Sequence, residues 1–167
     1  QIFESVSFLI YKLTDEIVNA NLGDVINWFK DGQSILVKCL SKDRKELKSE
    51  DAVPGGPIVS ESKGEKAQNR TYQDLLENKI DEHKFEQLAL SEIYKVKLDG
   101  TKEKWLNSAM YRGISFSPDG KFVMVTRIEK PFSYLVPYYR FPAVTEIYDN
   151  NAKKIATVSE VPLLEEL

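Results

Sequence analysis

Residues 113–117, Gly-Ile-Ser-Phe-Ser, come within one position of G-x-S-x-G. That spacing sets a nucleophilic serine on a sharp strand-to-helix turn in many hydrolases. The fifth position here is Ser117 rather than glycine, and Pro118-Asp119-Gly120 and an apolar run come directly after it. Proline and glycine oppose an immediate helix, so Ser115 is expected to be a strand residue and not a nucleophile. A general base is also hard to find. His83 is the sole histidine, flanked by Glu82 and Lys84 in a helix-like segment, and reads as a solvated helix-face residue. Cys39 is the sole cysteine and lies in the apolar run "SILVKCL", where a buried small hydrophobe is the ordinary reading. One Cys and one His cannot build a structural zinc site or an internal disulfide. No metal, cofactor or catalytic residue is expected.

A second stretch has better chemistry. "RIEKPFSYLVPYYRFPAV" (127–144) carries Arg127, Lys130 and Arg140 among Tyr134, Tyr138 and Tyr139, with three prolines. Forked arginine hydrogen bonds framed by tyrosines suit a carboxylate ligand. These six are the candidate substrate-binding residues. The competing reading is a rigid, aromatic-packed loop between strands, with its arginines in surface pairs.

The elements that must position this stretch are β-strands. Three Asp-Gly pairs, at 31–32, 99–100 and 119–120, sit between apolar runs, a strong hairpin signal because glycine supplies positive φ. "VINWFKDGQSILV" (25–37) and "GISFSPDGKFVMV" (113–125) align without a gap. "FLIYKLTDEIVNANLG" (8–23), "EIYKVKLDGTKEKWL" (92–106) and "TEIYDNNAKKIATV" (145–158) repeat more faintly as strand, turn, strand. Alternating inner and outer hairpins fit four-stranded propeller blades. The expectation is a mainly β partial β-propeller with a short helical insert. Residues 1–22 would be outer strands of a preceding blade, 23–108 one blade with a loop and helical insert at 41–89, and 109–167 the next. Within the insert, 41–70 is a charged, turn-rich excursion and 71–89 reads as a helix opened by a Thr71–Asp74 capping box.

The net charge of −3 and the lack of a basic stripe argue against nucleic acid. No run of about 18 apolar residues exists, so no membrane span is expected.

"GPIVSESKGEKAQNRTYQDLL" (56–76), "NANLGDVINWFKDGQSILVK" (19–38) and "GISFSPDGKFVMVTRIEKPFSYLVPYYRFPAVTEIYD" (113–149) resemble one enzyme family. It is the glutamyl-endopeptidase-like branch of the prolyl oligopeptidase serine peptidases. The resemblance runs from about residue 8 to the end and implies the propeller domain that caps a Ser-Asp-His active site in an α/β-hydrolase domain outside this chain. It departs at Phe29-Lys30, where the family has Ser-Pro, and at Glu129-Lys130, where it has His-Arg. The implied function is non-catalytic: a segment shaping and gating peptide access, partnered by the missing blades and hydrolase domain. The chain reads as an excerpt, inactive alone. Exported bacterial members of the family imply a periplasmic or secreted location. Exposed strand edges imply self-association of the isolated chain. The alternative is a stand-alone β-propeller-like interaction or scaffold module without peptidase activity.

Overall fold

The computed structural model describes residues 18–48, 72 and 74–165. Its seven strands, in chain order, are β1 (Ile26–Trp28), β2 (Ser34–Leu40), β3 (Ser91–Lys97), β4 (Lys102–Phe116), β5 (Phe122–Ile128), β6 (Ala143–Asp149) and β7 (Lys154–Val161). One helix, α1 (Lys79–Ala89), lies between β2 and β3. Each strand pairs antiparallel with the next, giving a single open sheet in sequence order. The protein is mainly β, as the residue pattern predicts.

Strand β4 divides the sheet. Its first half pairs with β3 from Lys102 to Ala109, and its second half pairs with β5 from Met110 to Phe116. Two four-stranded units therefore share one continuous strand, an arrangement consistent with neighbouring propeller-like blades. Their seam is the main core. Phe29, Leu36, Ile93 and Trp105 of the first unit pack with Ile114, Val123, Val125 and Tyr148 of the second. Phe29 and Phe116 meet edge to face at 4.9 Å, so the ring met by Phe116 is Phe29, while the aligned Trp28 is exposed. Polar contacts cross the same seam at its turn end, Lys30 Nζ to the Pro118 carbonyl at 2.8 Å and Lys95 Nζ to the Asn150 carbonyl at 3.2 Å.

The Asp-Gly turns form where the sequence places them. Gly32, Gly100 and Gly120 all have positive φ, and each aspartate accepts a hydrogen bond from the amide two residues on. The aspartates themselves are not in the left-handed region, so these are longer loops with one left-handed residue rather than two-residue turns. The turn Asp149–Ala152 has the same form with Ala152 at φ 64°.

The helix is shorter than the expected 71–89. Asp74 has φ 56° and the chain is not helical from 74 to 78, and Thr71 lies outside the described residues. The true cap is Asn78, whose side chain accepts from the amides of Ile80 and Asp81, leaving no role for a Thr71–Asp74 box. Of the outer strands expected at 1–22, residues 1–17 lie outside the described residues, as do 49–70 of the 41–70 excursion. Val18 bridges Cys39 at the far end of β2.

Asn19 ties this incoming segment to the helix end. Buried, its Nδ2 reaches the carbonyls of Leu88 (2.9 Å) and Leu90 (3.0 Å) and the Ser91 hydroxyl (3.0 Å). Asn19→Ala removes the donor to the Leu90 carbonyl and the Ser91 hydroxyl, leaving the Leu88 carbonyl to Asn21 alone, and should cost about 2 kcal/mol, seen as a fall of about 6 °C in thermal midpoint. An unchanged melt would show that the contacts are dispensable.

Candidate functional site

The stretch 127–144 leaves β5 at Ile128 and re-enters the sheet at Ala143, and the amide of Glu129 donates to the Pro142 carbonyl at 2.7 Å. Between them the chain cannot continue a strand, because its three prolines lack the amide proton a ladder needs. Lys130–Pro131 is cis, and Pro137 opens a single 3-10 turn, Tyr138–Arg140. Ser133 fixes the loop by accepting from the Leu135 amide and donating to Glu165 at 2.6 Å.

Aromatic packing supplies the loop's core. Phe132 stacks on Phe141 at 5.3 Å, and Phe85 of α1 sits edge-on to both, at 5.2 and 5.7 Å. Val136, Met110 and Ile128 complete this cluster. A small cleft of about 80 Å³ opens between Phe85, Leu76, Val136 and Tyr138. The helical insert of the first unit thus braces the loop of the second.

The six predicted residues separate into two groups. Arg127 pairs with the buried Glu146 of β6 and, at 2.6 Å, with Glu129 at the root of the loop. Lys130 Nζ is 2.7 Å from Glu86 of α1. The Tyr134 ring lies under Lys79 Nζ at 5.7 Å. These three fasten the loop. The other three share one surface: Tyr138 and Tyr139 are 45% and 55% exposed with rings 6.0 Å apart, and the Arg140 guanidinium stands 5.9 Å from the Tyr72 ring. Sequence reading missed Arg112, whose Nη1 donates to the Tyr139 carbonyl at 3.2 Å. It sits at a bulge in β4, which no local pattern announces.

Glu146 was also missed. It takes hydrogen bonds from Tyr148 at 2.6 Å and from Arg127 and Lys154. Burial alone would raise its pKa, but the three donors outweigh that and hold it at about 2. Burial, reinforced by this carboxylate, pushes Tyr148 up to about 12. Glu92, Tyr94 and Lys104 repeat the arrangement in the first unit, with 2.6 and 2.7 Å contacts. The paired Glu-Ile-Tyr strings in the sequence were the available signal.

Ser115 is a β4 strand residue opposite Met124, and a turn and β5 come after it, so it has no elbow geometry. His83 Nε2 lies 3.0 Å from the Glu46 carbonyl. Among the described residues no group of three His, Cys, Asp or Glu could hold a metal, and no helix is long and apolar enough to cross a membrane. What the exposed half of the loop can do is bind: two tyrosine faces flanked by Arg112 and Arg140 suit an extended chain bearing carboxylates.

Comparison with known proteins gives two curated relatives. "Probable glutamyl endopeptidase, chloroplastic" of Oryza sativa subsp. japonica is 31% identical over 159 residues, 95% of this chain and 17% of the relative. The protein of the same name from Arabidopsis thaliana is 30% identical over 138 residues, 82% of this chain and 14% of the relative. The chain therefore spans about a sixth of the length of these relatives. No family model and no solved structure matches it.

Proposed function

The chain is homologous, along 95% of its length, to one segment of glutamyl-endopeptidase-like proteins of the prolyl oligopeptidase family, and from that premise we propose that it is a non-catalytic propeller segment that guides peptides toward an active site carried elsewhere. The homology is the observation that carries this reading. Two structural features support it. The sheet order suits neighbouring blades, and the loop between β5 and β6 offers Tyr138 and Tyr139 to solvent, with the half-buried Arg140 beside them, on a braced base. Arg127, Lys130 and Tyr134 serve by holding the loop in place, and Arg112 joins the contact surface.

The test is binding without turnover. A fluorescein-labelled peptide rich in glutamate, titrated with the chain, should bind and remain uncut. Tyr139→Ala and Arg140→Ala should each weaken binding about fivefold, the loss of one contact worth about 1 kcal/mol. Absence of binding, indifference to both substitutions, or hydrolysis abolished by Ser115→Ala would each sink the proposal.

A further inference from the structure

Resting on the peptide-guiding reading, we propose that the cleft between α1 and the β5–β6 loop receives the first residue of the guided peptide. The aliphatic side chain of that residue enters the cleft, its α-ammonium meets Asp74, and the acidic residue next to it meets Arg140. The cleft holds about 80 Å³, more than the roughly 30 Å³ that one water occupies in the liquid. Its lining is mostly apolar. Val136 and Phe141 are buried, Phe85 is edge-on to Phe141 at 5.7 Å, and Leu75 and Leu76 are half-buried beside them. Water in such a space finds few hydrogen-bond partners, so an aliphatic group displaces it with a gain in affinity.

Charge at the cleft decides the chemistry of the occupant. Asp74 lines it, is exposed, and holds a left-handed φ of 56°. That conformation is costly for a residue with a side chain, and such residues concentrate at ligand-binding positions. Among the described residues no donor engages the Asp74 carboxylate. Tyr138 lines the cleft as well, and Arg140 ends the same 3-10 turn. The Arg140 guanidinium stands 5.9 Å from the ring of Tyr72, two residues before Asp74. A carboxylate and a cation therefore flank one apolar opening. An amino-terminal residue with an acid after it carries the complementary charges one residue apart, about 3.5 Å along an extended chain. A lysine side chain suits the cleft less well, because its ammonium would be carried into the apolar lining and away from Asp74.

The probe is the tetrapeptide Val-Glu-Glu-Gly with fluorescein at its carboxyl end, titrated with the full chain and followed by anisotropy. Acetylating its amino terminus should weaken binding about fivefold, the loss of one exposed charge-assisted contact. Replacing the first valine by glycine should weaken it at least about fivefold, since the apolar lining is left unfilled. Asp74→Asn keeps a residue type that tolerates the left-handed conformation, so its melt should match that of the unaltered chain. This variant should bind the free and acetylated peptides alike. Arg140→Ala should weaken both forms equally, which separates the two contacts. Indifference of the unaltered chain to acetylation overturns the proposal, as does a preference for the free amine that persists in Asp74→Asn. Equal affinity for the valine and glycine peptides overturns it too. In those cases the peptides still bind and the guiding role stands, whereas no binding by any of them would sink both.

Discussion

Glu146→Gln is expected to lower the thermal midpoint at pH 7 by about 9 °C, a loss of roughly 3 kcal/mol. The carboxylate is buried on β6 and collects three donors, from Arg127 on β5, Lys154 on β7 and Tyr148 on its own strand. Its pKa falls from an ordinary 4.5 to about 2, and a shift of that size corresponds to about 3 kcal/mol of folding free energy. A depressed folded pKa means that the stabilisation is complete above about pH 4.5 and drains away as pH falls toward 2. Glutamine keeps one acceptor but no charge. Its cationic partners reach water, with side chains 27% and 50% exposed, so they are not stranded as a fully buried pair would be. Melts at pH 7, 4 and 3 should therefore converge for the two proteins as the acid limit is approached. Glu92, also held below its usual range, leaves both with some acid sensitivity. A constant gap between the two proteins across that range would refute the assignment.

The same residue shows where sequence reading stops. Hairpins and their order were legible because glycine's positive φ and the alternation of apolar runs are local properties. So the strand order around Asp31-Gly32, Asp99-Gly100 and Asp119-Gly120 could be read directly. Burial of Glu146 and Glu92 is not local: a charged residue in a polar strand looks solvated until the neighbouring strand's lysine is placed beside it. The pairing of Arg127 was equally out of reach, since its partner Glu146 lies 19 residues away. The helix start was misplaced for a different reason. Thr71–Asp74 and Asn78–Asp81 are both acceptable caps as strings, and only the left-handed Asp74 decides between them. Of the candidate site, Tyr138, Tyr139 and Arg140 were recoverable from composition. Arg112 was not, because a bulge in the middle of a long strand turns it toward the loop.

Glycine at 23 offers the sharpest contrast between similar-looking positions. Gly23 and Gly32 both have positive φ, at 55° and 66°, and both sit in polar turns a sequence reader would treat alike. A side chain at Gly32 would meet nothing within 4 Å, whereas a Cβ at Gly23 would lie 2.2 Å from the Arg112 carbonyl oxygen. Gly32→Ala should thus cost only the left-handed conformation, about 1 kcal/mol. Gly23→Ala adds a collision with backbone, which cannot rotate aside as a long side chain would. The segment leading into β1 must then separate from β4 where the two units meet, for a loss of at least about 3 kcal/mol, the range of the more disruptive single substitutions. In melts, Gly32→Ala should fall by about 3 °C and Gly23→Ala by at least about 9 °C. Because Arg112 also donates to the Tyr139 carbonyl, the Gly23 variant should weaken acidic-peptide binding even at temperatures where it remains folded, and Gly32→Ala should not. Equal losses in the two variants would mean that Gly23 is a turn glycine like the others and that the close approach to Arg112 is not what holds the first unit against the second.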